Sequence, residues 1–336
     1  MSIILQENEP SVQAAKVSGP AVGRTEIHVK GKPVLVPSVS IEGRTVIVTG
    51  GWLKTAVVHD EELIQGSTMD DPEVFIRELK RSGLKADVFT FAQRLPDMTP
   101  RYSYRIDWEN VAAIPIVSYQ EWWDKRTDTG VRRAVKKAAK LGVEVKVVDF
   151  DDVFVDGIVK INNETPIRQG RPFWHYQKPF EKVKLEHSTY AERNVFLGAY
   201  LQGELIGYLR ATYVGTVLSV IQILSLMSHY EKKPGNAMIA KAVEVCEQNG
   251  MTHLMYCNYV YNDPTSSLTE FKRRNGFQKV LLPRYYIPLT LKGRLTMNLG
   301  LHLGIAKSVP EPIRIRLLKM RNNWYARKAK TAEGSI

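Results

Sequence analysis

The segment SLMSHYEKKPGNAMIAKAVEVC, residues 225–246, places Lys232, Lys233, Pro234 and Gly235 in succession just before a helical pattern. A strand ending near Leu226, a short basic loop and a helix start form an arrangement that can hold a phosphate. The first helical N–H groups have no internal partner, and the helix dipole is positive there. Gly235 lets the backbone approach an anion, Asn236 follows it, and Ala237 keeps the surface small. An ordinary basic loop before a helix would contain the same residues, so chemistry alone leaves both readings open.

A second concentration of reactive groups is INNETPIRQGRPFWHY, residues 161–176. Arg168 and Arg171 could clamp a carboxylate or phosphate bidentately. Glu164 or His175 could take a proton from an attacking amine, and Tyr176 adds a further hydrogen-bonding group. The plain alternative is a helix end whose charges pair locally, with Trp174 as packing. Arg210 lies in the strand-like YLRATYVG; an inward arginine is costly unless paired, so it faces a ligand or else solvent. His229 precedes the basic loop and is better read as a local hydrogen-bonding residue.

These groups need elements to hold them. The β-rich stretch from Val34 to Val58 is followed by a helix, PEVFIRELKRSG, opened by Asp71–Pro72 and closed by Gly83. ADVFTFAQ and YSYRIDWENVAAIPI read as strands. From Tyr119 to Leu141 one or two helices are expected, and the second is amphipathic. Val131, Ala134, Val135, Ala138 and Leu141 share one face; Arg132, Arg133, Lys136, Lys137 and Lys140 share the other. A helix from Asp151 to about Gln169 and another from Phe180 to Tyr190 precede three strands, NVFLGAYLQ, ELIGYLRATYVG and VLSVIQILSL. Gly203 marks a hairpin between the first two. A helix from Gly235 to Asn249, the strand THLMYCNYV, the helix SSLTEFKRRNGF and the strand QKVLLPRYYIPL complete the order. Ser267 and Glu270 have capping-box spacing. The first half shows a degraded version of the same order.

That order, with Lys232-x-x-Gly235-x-Ala237 at one helix and Arg274-Asn275-Gly276-Phe277 ending the next, resembles the GNAT N-acyltransferase superfamily between Asn194 and Leu289. The amphipathic basic helix TGVRRAVKKAAKLG before this half extends the resemblance to the FemAB-like, double-GNAT branch, from about Val34 to Leu289. The resemblance implies an α+β fold of two tandem GNAT-like halves, with mixed, mostly antiparallel sheets flanked by helices. It divides the chain into a flexible segment 1–26, a degenerate half 27–148, a catalytic half 149–290 and a basic extension 291–336. It implies an acyl-CoA donor, acetyl-CoA first among them. The pyrophosphate would lie at Lys232, Lys233, Gly235, Asn236 and Ala237, beside Leu226, with Asn258 on the pantetheine arm. Glu164 and His175 become base candidates, and Arg168, Arg171, Tyr176 and Arg210 acceptor-binding ones. The chain departs from the pattern at Lys272, where many GNAT enzymes place a tyrosine general acid.

Composition bounds these readings. The chain has 336 residues, 44% hydrophobic and 24% charged, which is ordinary globular composition and excludes a rod or wholesale disorder. Two cysteines, Cys246 and Cys257, provide neither a disulfide framework nor a cysteine-rich zinc site, and no metal is expected. No apolar run has membrane-spanning length, and the start lacks a signal-peptide pattern. A cytoplasmic protein, free or at a membrane surface, is expected. Net charge is +12, of which residues 291–330 hold +9, from ten Lys/Arg against Glu311. The tail IRIRLLKMRNNWYARKAK could therefore pack on the body, touch a membrane or touch RNA. The leading expectation is acyl transfer to the amine of a small-molecule, sugar or lipid-linked envelope precursor. The rivals are an aminoacyl-tRNA-dependent FemAB-type transferase and a non-catalytic GNAT-like binding module.

Overall fold

The computed structural model describes residues 20–29, 32–168, 171–261 and 265–303, with Lys32 and Arg171 described by backbone alone. The chain opens with four antiparallel strands, β1 (Val22–Val29), β2 (Lys32–Ile41), β3 (Arg44–Thr49) and β4 (Thr55–Val58). β1 begins inside the segment read from sequence as a lead-in. Helix α1 (Pro72–Arg81) crosses over and β5 (Val88–Ala92) returns parallel to β4. Strand β6 (Arg105–Pro115) leads to α2 (Tyr119–Glu121), which runs into a π-helical turn over Trp122–Arg126. Helix α3 (Thr129–Lys140) and strand β7 (Val143–Val148) follow.

Next come α4 (Asp152–Asn163), the two-residue strands β8 (Ile167–Arg168) and β9 (Arg171–Pro172), and α5 (Phe180–His187). A meander of β10 (Asn194–Leu201), β11 (Glu204–Val214) and β12 (Val217–Ser225) precedes α6 (Pro234–Gln248). Strand β13 (His253–Asn258) lies parallel to β12, and α7 (Ser267–Arg274), β14 (Gln278–Pro288) and α8 (Leu291–Asn298) end the described chain apart from a short turn. Most of the basic extension, residues 304–336, lies outside the described residues.

Local chemistry explains the boundaries. Asp71 accepts hydrogen bonds from the N–H groups of Glu73 and Val74, with Pro72 at the first helical position. At α7 the cap is Ser266, one residue earlier than the capping-box spacing implied. Its hydroxyl accepts from the Thr269 N–H at 3.2 Å, while Glu270 pairs with Arg273 and Arg274. Gln202 and Gly203, both at positive φ, make the two-residue turn of the β10–β11 hairpin.

Among the described residues twelve strands form one sheet in the order β1-β2-β3-β4-β5-β14-β6-β13-β12-β11-β10-β7. Only β4–β5 and β12–β13 are parallel, one pair in each half, and each is bridged by a crossover helix. The halves are not separable along the chain. The last strand, β14, sits between β5 and β6, and β6 sits between β14 and β13. β7 pairs with β10, and α3 packs on α6, so both lie with the second half although the division at 148/149 assigns them to the first.

The two crossover helices share one face of the sheet. α1 buries Phe75, Ile76 and Leu79 against Phe89, Tyr285 and Ile287. α6 buries Met238, Ile239, Ala242 and Val243 against alternate residues of β6 and β12, including Ala112, Ile114, Leu218 and Val220. α4 and α5 cover the opposite face through Phe154, Val155, Ile158 and Val183 against Phe196 and Tyr208.

The strand exchange predicts that the protein unfolds in one calorimetric transition. A fragment starting at Asp149 should lack a cooperative transition, since β14 would lose both neighbours and β13 one. Two resolved transitions in the intact chain would contradict this.

Candidate functional site

The parallel β12–β13 ladder covers only Val217–Ser219 against His253–Met255. Beyond it the strands part. On the other side of β13 the register skips from Met255 to Asn258, so Tyr256 and Cys257 lie outside both ladders. Cys257 takes a left-handed conformation, φ 46°, which is uncommon for a side-chain-bearing residue.

The gap opens toward the start of α6. Leu226 donates its N–H to the Ile206 carbonyl at 2.9 Å, and a 3-10 turn runs over Met227–Lys232. Lys233, at φ 61°, precedes Pro234 in the first helical position, and no side chain caps the helix. Proline has no N–H, and Ala237 bonds the Lys233 carbonyl at 3.3 Å. Among the described residues the N–H groups of Gly235 and Asn236 have no acceptor. The Asn236 side chain donates to Asn275 at 3.1 Å, and Lys232 pairs with Glu231. A methyl group on Gly235 would meet the Phe271 ring at an ordinary 3.7 Å, so internal packing does not require glycine here.

Asn258 is exposed on its side chain, and its carbonyl accepts from the Lys272 ammonium at 2.6 Å. Lys272 is wholly buried and lies over the rings of Tyr256 and Tyr261, at 4.3 and 5.0 Å. Desolvation pushes its pKa down to about 8.

The residues 161–176 cluster on the opposite face, and most of their charge is already committed. Glu164 accepts from the Met227 N–H (2.6 Å), the Ser228 N–H and hydroxyl (both 2.9 Å) and Arg168 (3.2 Å). Burial alone would raise its pKa; these bonds hold it below the ordinary value. A carboxylate so engaged braces the loop before α6 rather than waiting for a proton. Arg168 donates to the carbonyls of Ser225 and Ile161, both at 2.8 Å, and covers the Phe173 ring. Arg210 is inward, as one sequence alternative had it, but its partners are the carbonyls of Glu186 and Thr189 at the end of α5. Both arginines close orphan helix carbonyls through their terminal nitrogens, and the Nε of each is buried without a partner among the described residues. The backbone of Arg171 pairs with Arg168 in the β8–β9 ladder. Tyr176 is half-buried, with its N–H on the Phe173 carbonyl at 3.0 Å.

His175 is different. It is buried, 3.6 Å from the Trp174 ring by centroids, and linked through Gln222 to His187. His187 Nδ1 lies 2.8 Å from the Val183 carbonyl, so a neutral ring donates there and accepts at Nε2. The Gln222 amide stands 3.1 Å from the Nε2 of both histidines. Satisfying two neutral rings turns its NH₂ to His187 and its oxygen to His175. His175 then donates from Nε2, and its lone pair lies on Nδ1, which is buried without a partner. Burial, reinforced by Lys178, His187 and Arg168, pushes its pKa down to about 3.

A cavity of about 470 Å³, which no motif announced, adjoins the gap. Leu282 and Arg284 of β14 line it, alternating with the Tyr285 and Ile287 that pack on α1; Glu109 and Val111 of β6 alternate with the Ala112 and Ile114 under α6. The cavity thus lies on the face opposite both crossover helices. Ser219, Cys257 and Asn258 border it from the gap, and the turn Glu61–Leu63 borders it from the first half. Arg284 joins buried Glu61 to Glu109, the latter at 2.5 Å. The only sequence trace of this arrangement is an arginine within the apolar strand LLPRYYIPL.

No protein-family model and no curated protein sequence matches the chain. Solved structures do match. FemX is 11% identical, aligned over 84% of this chain and 91% of its own, with a TM-score of 0.53. The domain assigned as the C-terminal part of a lysylphosphatidylglycerol synthetase from Agrobacterium fabrum is 12% identical over 76% of this chain and 84% of its own, with a TM-score of 0.50. At such identities the likeness concerns fold alone: the chain has the FemAB-like, double-GNAT fold.

Both imidazoles of the Gln222 network are held below the ordinary 6.5 by burial. Their contribution to stability is complete above about 6.5, where the unfolded chain is also neutral, and is lost as the pH falls towards 3. The melting temperature should decline between pH 7 and 5. His175→Asn, which cannot titrate, should flatten that decline; an identical profile would show that His175 is not held neutral here.

Proposed function

We propose that the protein transfers an acyl group to an amine, with an acyl-CoA, acetyl-CoA in the simplest case, as donor. The observation that carries this reading is the pair of N–H groups at Gly235 and Asn236 that have no acceptor among the described residues, set at the mouth of the β12–β13 gap beside Lys232 and Lys233. These donors fit a pyrophosphate, and an unbranched arm fits a gap between parting strands. Ala237 is buried behind them, and in this reading Leu226 and Asn258 would flank the arm.

The donor supplies an activated acyl group; the chain's residues hold it and move protons. The unladdered N–H groups of Tyr256 and Cys257 are candidates to polarise the carbonyl under attack. His175, with its free Nδ1, is the base candidate that keeps a lone pair, and its low basicity limits it to an amine already close to neutral. Lys272 takes the place of the usual tyrosine acid; desolvation makes its ammonium readier to give up a proton than an ordinary lysine. Tyr176 stays an acceptor-side candidate.

A second reading, with aminoacyl-tRNA as donor, is favoured by α3. Arg133, Lys136, Lys137 and Lys140 are exposed on this helix, which packs beside α6, and none forms an ion pair among the described residues. Arg132, read from sequence as part of that face, instead donates to the carbonyls of Trp123 and Thr127. The acceptor in either reading is a small-molecule or lipid-linked amine. A membrane-surface location suits the exposed Leu291 and Leu295 of α8 and Leu299 just past its end, spaced four residues apart. No described helix is long and apolar enough to cross a membrane.

Calorimetric titration with acetyl-CoA and coenzyme A should give micromolar binding that Gly235→Glu abolishes. Absence of binding by the folded protein would sink the coenzyme A reading. Titration with tRNA at several salt concentrations tests the rival: under it, Lys136→Glu with Lys137→Glu should reduce the salt slope by about two.

A further inference from the structure

Five charged side chains line the cavity beside the gap: Glu61, Glu62, Arg94, Glu109 and Arg284. Three are mutually engaged, because Arg284 bridges Glu61 and Glu109. Two are left. Arg94 is largely buried, its Nε is enclosed without a hydrogen-bond partner, and among the described residues its side chain forms no ion pair. Glu62 is exposed toward the cavity and likewise has no hydrogen-bond or ion-pair partner among the described residues. A guanidinium nitrogen enclosed without an acceptor is costly, and no group among the described residues accepts from it, although the carboxylates of Glu61 and Glu62 favour its charge.

The leftover charges are of opposite sign and stand at different places. Arg94 also lines the neighbouring cavity, on the side away from the gap. The charge of Glu62 is felt both at Arg94 and at the Cys257 thiol, which borders the gap. The bridged trio adds one further negative charge, so the wall as a whole favours an ammonium, with a single point for a carboxylate. Its volume falls in the range of small-molecule sites and exceeds that of an amino acid.

We infer that this cavity binds a zwitterionic amino acid, with its carboxylate on Arg94 and its amine on the side of Glu62, toward the gap. That the bound molecule is the acceptor rests on the acyl-transfer reading; that it binds does not. The orientation would present the amine to the parting strands and keep the carboxylate away from them. Arg94 is then a specificity residue, because an amine without a carboxylate would leave its guanidinium unpaired.

The test uses the full chain with no donor present. Saturation-transfer NMR with the twenty proteinogenic L-amino acids should find binders, and titration of the best one should give its affinity. Its C-terminal amide should bind about tenfold more weakly, and Arg94→Gln should cost the free acid a similar factor while leaving the amide unaffected. Glu62→Gln, at an exposed position where folding is not at stake, should weaken the amino acid and not its N-acetyl derivative. Amino acids that all fail to bind, an amide as tight as the acid, or displacement by an equal concentration of inorganic phosphate would each overturn the assignment. Failure here would leave the donor titration standing. Amino-acid binding without donor binding would keep the site and remove the transferase.

Discussion

Arg284 holds the two halves of this protein in register. It rides on the last strand, yet both of its carboxylate partners belong to the first half: Glu61 from the turn after β4 and Glu109 from β6. Glu61 is buried, and desolvation raises its pKa against the pull of Arg284 and Arg94. A buried ion pair of this kind adds little net stability, but either member left alone would be an uncompensated charge in the interior. The pair therefore specifies arrangement more than strength. β14 can occupy its slot between β5 and β6 in one register only, and that register places the cavity wall, the gap and the α6 terminus around one another.

The polar groups of the second half divide by whether the fold has already used them. Glu164, Arg168 and Arg210 look reactive in isolation, but each closes a helix end or ties down the loop before α6. Glu164 ties down the turn that leads to Gly235 and Asn236, while Arg168 and Arg210 fix the ends of α4 and α5. Among the described residues unused capacity remains at those two N–H groups, at one nitrogen of His175, at the Nε of Arg168 and of Arg210, and, in the first half, at Arg94 and Glu62. A site for chemistry is better sought at such remainders than at a charge whose bonds are all made, because a satisfied group has no interaction left to offer a ligand.

Local signals were legible in the sequence, and long-range ones were not. Asp71–Pro72, Gly203 and the start of α6 could be read because caps and turns depend on neighbours within four residues. The spacing puts the cap of α7 one residue late because two serines stand side by side. That Arg210 points inward was an open alternative; that carbonyls of α5 receive it could not be read, since no pattern connects a strand arginine to a helix end some twenty residues away. The Arg284–Glu61 contact spans 223 positions, and the exchange of β14 leaves no local mark at all. The cavity inherits that silence, being assembled from both halves.

The exchange also orders events in time. β5 ends at Ala92, while the strand that fills the slot beside it ends at Pro288. At ordinary rates of synthesis roughly 10–40 s separate the two. Throughout that interval the nascent first half presents open edges on β5 and β6, with Phe89 and Phe91 between them lacking the cover of Tyr285 and Ile287. Open edges of this kind recruit foreign strands. The cell must shelter an unfinished sheet on the ribosome until the last tenth of the described chain arrives to close it.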